Sequence, residues 1–444
     1  MNLLEALRLN RPACIALVGA GGKTTALFQV ARQWPSPVIV TATSHLGAWQ
    51  VSLADRHIVA ERPSDLVSLD ESLGGITLVT GRLEGERTQP VSDEVLLALH
   101  ETCQGRGLPL LVEADGARQR ALKAPAAHEP PIPSFAKQVI VLAGMSGVGK
   151  LLTESNVFRP EIFGRLGQLA MGQAVDPEAL VRVLRHPLGG LKHIPPAAHR
   201  IVLLNQADTP ALQAQAGRMA ASLLESYDAV VIASLENNTH PIHAVYEPIA
   251  GLVLAAGESR RFGAPKQLLD WQGRPFVRQV TEIALRAGLR PVLVVTGFHA
   301  ADVESALFGL PVTLVRNEAW QEGQASSIRA AVKGLLASPI RSRGALFLLA
   351  DQPQVSVEVI RALVERHAQD RSAILAPLVL EEKRANPVLF DRVCFPDLLQ
   401  LQGDTGGRAL FGKYPLAYLP WHDPSLLLDV DTPEDYLRLQ EMSG

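Results

Sequence analysis

Two continuous apolar runs, residues 14–18 and 249–253, each pass directly into a glycine-containing loop, and these two junctions constrain the fold more than anything else in the chain. An unbroken apolar run is the mark of a strand covered on both faces, as in a parallel sheet flanked by helices. A glycine loop between such a strand and a helix turns several backbone N–H groups toward one point, which suits an anion. The loops differ in sequence, so the chain reads as two unlike α/β units and not as a repeat. Its 444 residues also exceed what one ordinary core holds.

The first loop reads Gly19-Ala-Gly-Gly-Lys-Thr-Thr25. Gly19, Gly21 and Gly22 let the backbone curl around phosphate oxygens, Lys23 supplies a point charge, and the Thr24 hydroxyl suits a magnesium ion, with ATP the expected ligand. The position six before Lys23 is Leu17 and not glycine, so the loop is shorter than the usual phosphate loop. Strands are predicted at 38–41, 76–79, 109–112, 139–142, 201–204 and 229–232, with helices at 93–103 and 210–224, an alternation that specifies a doubly wound α/β domain over 1–236. Ligands of such sheets collect at the carboxyl ends of the strands. Glu113 and Asp115 follow one of them, and Asp115 is a candidate magnesium ligand beside Lys23. Arg118, Lys123, His128 and Glu129 occupy a proline-rich loop that serves either as a rigid crossover or as part of a site. Asn205 and Asp208 partly match a base-reading element, but Gln206 replaces its lysine and no base specificity follows. Gly147-Val-Gly-Lys150 is followed by Leu151, lacks the metal-binding hydroxyl and is rejected as a second phosphate loop.

Residues 237–248 carry polar turn formers and two prolines and read as a linker. From 249 to 444 the alternation resumes, with strands expected at 249–255, 292–295, 312–315, 345–349 and 373–376 and helices at 276–287, 301–307, 325–336 and 355–367. Leu254, Ala255, Ala256 and Gly257, with Arg261, Gly263 and Lys266 close behind, form a cradle for a triphosphate. Asp351 follows a buried strand and is placed to hold magnesium. A further strand is expected over 426–428, with Asp429 and Asp431 on one face as additional metal ligands. Thr432 and Pro433 then start a helix.

A net charge of -3 without a basic stripe argues against nucleic acid or an anionic membrane surface as partner. No signal peptide and no run long enough to span a bilayer is visible, so a cytoplasmic protein is expected. Cys14, Cys103 and Cys394 are odd in number and far apart, which fits neither a disulfide framework nor a zinc site.

Residues 19–25, Val40-Thr-Ala-Thr43, Glu113-Ala-Asp-Gly-Ala-Arg118, Leu122-Lys-Ala-Pro-Ala126, His128-Glu-Pro130 and Asn156-Val-Phe-Arg159 together resemble the accessory proteins of selenium-dependent molybdenum hydroxylases. The second half, through the 254–266 loop, Asn317-Glu-Ala-Trp320, Ser326-Ser-Ile328, Asp351-Gln-Pro353, Asn386-Pro-Val-Leu-Phe390, Gly403-Asp-Thr-Gly-Gly-Arg408 and Asp429-Val-Asp-Thr-Pro433, resembles the MobA-like nucleotidyltransferases of molybdenum cofactor maturation, above all the cytidylyltransferases. That resemblance implies a Rossmann-like domain and Mg2+-dependent transfer of CMP from CTP to the terminal phosphate of molybdenum-molybdopterin. It also implies Asn317, Ser326, Ser327, Asn386, Asp404 and Arg408 as acceptor-pocket residues, Arg261 and Lys266 as stabilisers of the leaving pyrophosphate, and a molybdenum hydroxylase as client. Ala256 stands where relatives using GTP tend to have glycine, which favours CTP; Asn386 stands where many cytidylyltransferases have histidine. A sugar-phosphate acceptor, or a cofactor carrier without catalysis, are the alternatives.

Overall fold

The computed structural model describes every residue except 10, 71–73, 238, 259–261, 381–382 and 442–444. The chain forms two compact units, Met1–Tyr246 and Glu247–Gly444.

The sheet of the first unit contains β1 (Cys14–Gly19), β2 (Val38–Ala42), β3 (Arg56–Val59), β4 (Ile76–Thr80), β5 (Leu110–Glu113), β6 (Gln138–Gly144), β7 (His199–Asn205), β8 (Ala229–Ala233) and β9 (Ile242–Tyr246). Their order is β9-β8-β7-β6-β1-β5-β2-β4-β3. The uninterrupted apolar runs at β1, β2, β5 and β8 are buried along their lengths, as strands with helices on both faces must be. Because β1 lies between β6 and β5, with Leu17 opposite Glu113, the Lys23 loop and the Glu113–Asp115 turn leave the same edge of the sheet side by side.

Part of the expected linker belongs to this sheet. Ile242–Tyr246 pairs antiparallel with β8, Tyr246 opposite Val230, and Val245 enters the core beside Val231 and Ala233. The segment Ile-His-Ala-Val-Tyr lacks a clean alternation, with the adjacent Ala244 and Val245 both buried, and it follows a run of turn formers, so it gives no clear strand signal.

In the second unit the strands are β10 (Ile249–Ala255), β11 (Val292–Thr296), β12 (Thr313–Arg316), β13 (Gly344–Leu349), β14 (Ile374–Val379), β15 (Lys383–Arg384), β16 (Val388–Asp391) and β17 (Leu416–Trp421). The order is β12-β11-β10-β13-β16-β14-β15, with β17 added to β14. The first four run parallel, whereas β16 is antiparallel to both β13 and β14. Alternate residues of β10 serve opposite layers. Val253 and Ala255 pack with Val277, Val280 and Leu363 from helices Phe276–Arg286 and Val357–Asp370. Ala250 and Leu252 pack with Ile328, Val332 and Leu335 of helix Gln324–Ala337.

The strand expected over 426–428 does not form. Pro424–Leu427 is a single 3-10 turn, capped by the Asp423 carboxylate, which accepts the Ser425 N–H at 2.9 Å. Pro424 fixes the turn and withholds the N–H that a strand would need. Asp429 and Asp431 therefore do not share a strand face. Helix Pro433–Glu441 begins as expected: Thr432 Oγ1 accepts the Asp435 N–H at 3.2 Å, while the Asp435 carboxylate accepts the N–H of Thr432 at 2.9 Å. Among the described residues no helix is long and apolar enough to cross a membrane, and all three cysteines are buried and unpaired with one another.

Candidate functional site

An open cleft of about 540 Å³ lies where β10 and β13 end, walled on one side by Leu254, Ala255, Ala256 and Gly257. Ala255 and Ala256 are buried and Gly257 is exposed, its carbonyl accepting Gln267 Nε2 at 3.1 Å. At the cleft floor the Lys266 ammonium sits 2.7 Å from Asp431 Oδ1 and 3.2 Å from Asp351 Oδ2. The lysine is 13% exposed and the two carboxylates 31% (Asp351) and 51% (Asp431), so the cation is shielded and its partners face the opening. Burial alone would lower the Lys266 pKa, but the two carboxylates outweigh it and the net shift is upward, which keeps the ammonium charged at neutral pH. Burial raises the Asp351 carboxyl above its ordinary range, against the pull of Lys266, and the nearby Asp429 adds to the rise. Gly263 holds a left-handed backbone, φ +75°, that glycine adopts without strain. Arg261 lies outside the described residues.

The residues implied for the acceptor divide into three groups. Asn317 is buried, its Nδ2 donating to Ser326 Oγ at 2.8 Å and to Ser327 Oγ at 3.1 Å while its Oδ1 accepts the Ala319 N–H at 3.1 Å. Asn317 and Ser326 thus brace the start of helix Gln324–Ala337, and Ser327 reaches the cleft. Asp404 lines the cleft too and accepts the Gln324 N–H at 3.4 Å. Asn386 and Arg408 line an adjoining pocket of about 300 Å³ that shares Leu254, Gln324 and Leu349 with the cleft and has Phe347, Phe390 and Phe411 in its wall. Asp429 belongs to this pocket and not to the Asp351–Asp431 pair; the Gln352 amide donates to it. No role at the site is expected for Gln352 or Gln267 from sequence, since a neutral amide beside Asp351 or Lys266 carries no charge or spacing signal of its own.

At the edge of the first sheet Lys23 is the first residue of helix Lys23–Gln33. Its ammonium bonds the Gly19 carbonyl at 2.6 Å and pairs with Asp115 at 3.1 Å, both side chains nearly fully buried. Asp115 also accepts the Gly19 N–H at 3.1 Å and the Lys123 ammonium at 2.7 Å. Lys123 continues to Glu129 at 3.1 Å, and Arg159 grips Glu129 with both guanidinium nitrogens. Burial pushes the Glu129 carboxyl up, but Arg159 and Lys123 together bring it down to about 2. The proline-rich loop is therefore half of a buried ion network. Asp115, a candidate magnesium ligand beside Lys23, does lie against Lys23 but is committed to two ammonium groups. The carboxylate that meets Thr24 is Glu113, whose Oε2 accepts the hydroxyl at 3.3 Å, while Gln50 Nε2 donates to the same hydroxyl at 2.6 Å. Asn205 is buried and taken up by the fold: it donates to the Gly21 carbonyl at 2.8 Å and accepts the Leu235 N–H at 3.0 Å. A Cβ at Gly22 would come within 2.5 Å of the Asn205 amide, so packing as well as φ requires glycine there.

Comparison with known proteins agrees with this geometry. Residues 251–418 match the MobA-like NTP transferase domain and residues 15–161 match the YqeC protein family. The carboxy-terminal unit is accordingly a nucleotidyltransferase. More particularly, the chain belongs to the MobA-like NTP transferase family, with a YqeC-like domain ahead of the transferase. It is similar to nicotine blue oxidoreductase of Paenarthrobacter nicotinovorans, 32% identical over 43% of this chain and 96% of that protein. The purine catabolism protein PucB of Bacillus subtilis is 34% identical over 42% of this chain and 94% of its own length. Escherichia coli YqeC is 29% identical over 44% of this chain and 77% of its own length.

Proposed function

We propose that the carboxy-terminal domain transfers CMP from CTP to the terminal phosphate of molybdenum-molybdopterin, releasing pyrophosphate, and that the amino-terminal domain binds ATP in the maturation of a molybdenum hydroxylase. The observation that carries the transferase reading is Lys266 held between Asp351 and Asp431 on the floor of a cleft walled by the 254–257 loop. An acceptor phosphate oxygen attacks the α-phosphorus, the bond to the β-phosphate bridge breaks, and pyrophosphate leaves with the electron pair. Attacking and leaving groups are all anions, so the site must neutralise them and hold them in line; no protein nucleophile is needed.

The donor set fits Mg2+. Two oxygen ligands, Asp351 and Asp431, converge within reach of one ammonium, and no cluster of three or more His, Cys, Asp or Glu able to hold a metal occurs among the described residues. Mg2+ takes one or two protein carboxylates and completes its shell with water and substrate phosphates. When bound it would polarise the phosphoryl oxygens. Lys266 provides positive charge to the pyrophosphate, with Arg261 as its partner in that role. In the first domain Thr24 with Glu113 suits a nucleotide-bound magnesium better than Asp115 does.

Two adjoining recesses with a shared wall suit a reaction that joins two ligands. The nucleotide takes the cleft, and the acceptor takes the pocket of Asn386, Arg408 and the phenylalanines, with Ser327 and Asp404 at the passage between them. The aromatic wall, with Phe347 and Phe390 edge-to-face, favours a pterin over a sugar phosphate. The Ala256 methyl sits close to Gly297, where an added Cβ would meet it at 2.8 Å, and stiffens the loop in a form we assign to a pyrimidine base.

The test is pyrophosphate release by the purified full chain supplied with CTP and molybdenum-molybdopterin. Release that requires both supports the reading; release with a sugar phosphate but not the pterin redirects it, and tight cofactor binding with no release makes the protein a carrier.

A further inference from the structure

The segment after β5 lies directly on the Lys23 loop: Gly19 donates its N–H to Asp115 at 3.1 Å and Gly21 donates its N–H to the Arg120 carbonyl at 3.1 Å. Within this segment Arg118 and Gln119 both hold left-handed backbones, φ +47° and +58°, conformations that are strained at a non-glycine residue and persist where the surroundings impose them. The Phe158 ring carries two guanidinium groups, Arg118 at 5.3 Å and Arg159 at 4.3 Å, and the Lys123 ammonium at 5.7 Å. Their fates differ. Arg159 is neutralised by Glu129, whereas Arg118 is exposed and has no carboxylate partner among the described residues. Lys23, Lys123 and Arg159 are accompanied by Glu113, Asp115 and Glu129, and Arg118, over the same ring as Arg159, adds a fourth cation that leaves positive charge in excess even with all three carboxylates ionised. A site built beside a phosphate loop with surplus positive charge is short of an anion.

We propose that Arg118 is a cationic finger supplied in cis to a terminal phosphate held at the Lys23 loop, so that the amino-terminal domain transfers that phosphoryl group and does not merely bind nucleotide. This rests on the nucleotide reading of the loop given above. An acceptor oxygen, water where no other is present, attacks the γ-phosphorus of ATP; the bond to the β-bridging oxygen breaks, its electron pair remains on ADP, and the acceptor proton passes to solvent. A guanidinium placed on the equatorial oxygens acts mainly on the transition state, where charge moves off the transferring group. Phe158 keeps the guanidinium close by without neutralising it, as a carboxylate would.

Equilibrium binding of fluorescent ADP to the full chain, with Mg2+ and with or without aluminium fluoride, separates the finger from the loop. In the wild type, aluminium fluoride is expected to tighten ADP at least about 100-fold, because it mimics the transferring group; this is below the roughly 1000-fold or more that such fingers contribute to rate. Arg118→Ala should bind ADP alone within about threefold of wild type and lose most of the gain; Arg118→Lys should keep only part of it, since an ammonium lacks the planar fork. ADP binding with no gain in the wild type, or an undiminished gain in Arg118→Ala, overturns the finger and leaves the nucleotide site standing. Failure of the wild type to bind ADP or ATP at all overturns the nucleotide reading itself, and the finger with it.

Discussion

Each domain sets one lysine against a carboxylate beyond the carboxyl ends of its parallel strands, yet the two lysines live in opposite surroundings. Lys23 is buried, tied to its own loop carbonyl and to Asp115, which a second lysine also holds. Lys266 stands at the floor of an open cleft between two carboxylates that face solvent in part. The first arrangement is saturated by the protein itself, and a ligand must compete with an internal carboxylate. The second leaves carboxylate oxygens accessible to a metal ion and substrate. An ion pair in a dry network shapes the loop, whereas one on the floor of an open cleft can be rearranged by a substrate without exposing a buried charge.

The sharpest break in this comparison would come from Asp351→Ala, expected to lower CTP-dependent pyrophosphate release by at least ~1000-fold through loss of electrostatic stabilisation, with the circular dichroism spectrum intact. Retained turnover would remove Asp351 from the site. Lys23→Ala should act on folding instead. Breaking a buried pair costs ~3–5 kcal/mol, and the low end is expected because Lys123 still neutralises Asp115. It should also abolish the thermal stabilisation given by ATP while leaving pyrophosphate release within a few-fold of wild type; a loss of release would mean that the two sites are coupled.

A third contrast is pH. Glu129 has a folded-state pKa of about 2, below the 4.5 of the free group, so it contributes stability that is complete above the unfolded value and lost as pH falls through the folded one. The shift corresponds to about 3 kcal/mol. Urea unfolding of wild type and Glu129→Gln should differ by a constant amount above pH 5 and converge between about 4.5 and 2; a constant gap down to pH 3 would show that packing, not charge, is what the substitution removes. The smallest effect is expected at Ala256→Gly. One methyl in a pocket is worth ~10-fold or somewhat more in discrimination, so the ratio of CTP to GTP turnover should fall by about that factor, and an unchanged ratio would place base selection elsewhere.

Where backbone and burial decide, the sequence was a good guide. The apolar runs ending in Gly19 and at Leu254 became β1 and β10, Lys23 and Asp351 follow closely on strand ends, and Lys266 and Asp431 meet Asp351 in the cleft. What could not be read was which acid meets which base. Glu113 and Asp115 are two residues apart, and only the register of β5 against β1 puts Glu113 beside Thr24 and Asp115 beside Lys23. The same holds for Asn317, a polar residue in a motif that turns inward to brace two serines. Residues 426–431 misled for a local reason: three leucines suggest a strand, but Pro424 and the Asp423 cap commit the chain to a turn first.

Strand β9 has a practical consequence for dissecting the protein. Only Glu247 and Pro248 separate its last residue from the first residue of β10. A fragment ending at 236, where composition alone would cut, strips β9 from the sheet and uncovers Ala-Val-Val-Ile-Ala, an apolar edge with unpaired backbone groups that invites another chain to pair with it. A fragment ending at Tyr246 keeps β9 paired along β8 and so leaves that strand covered. Expression trials of the isolated amino-terminal domain should therefore turn on those ten residues.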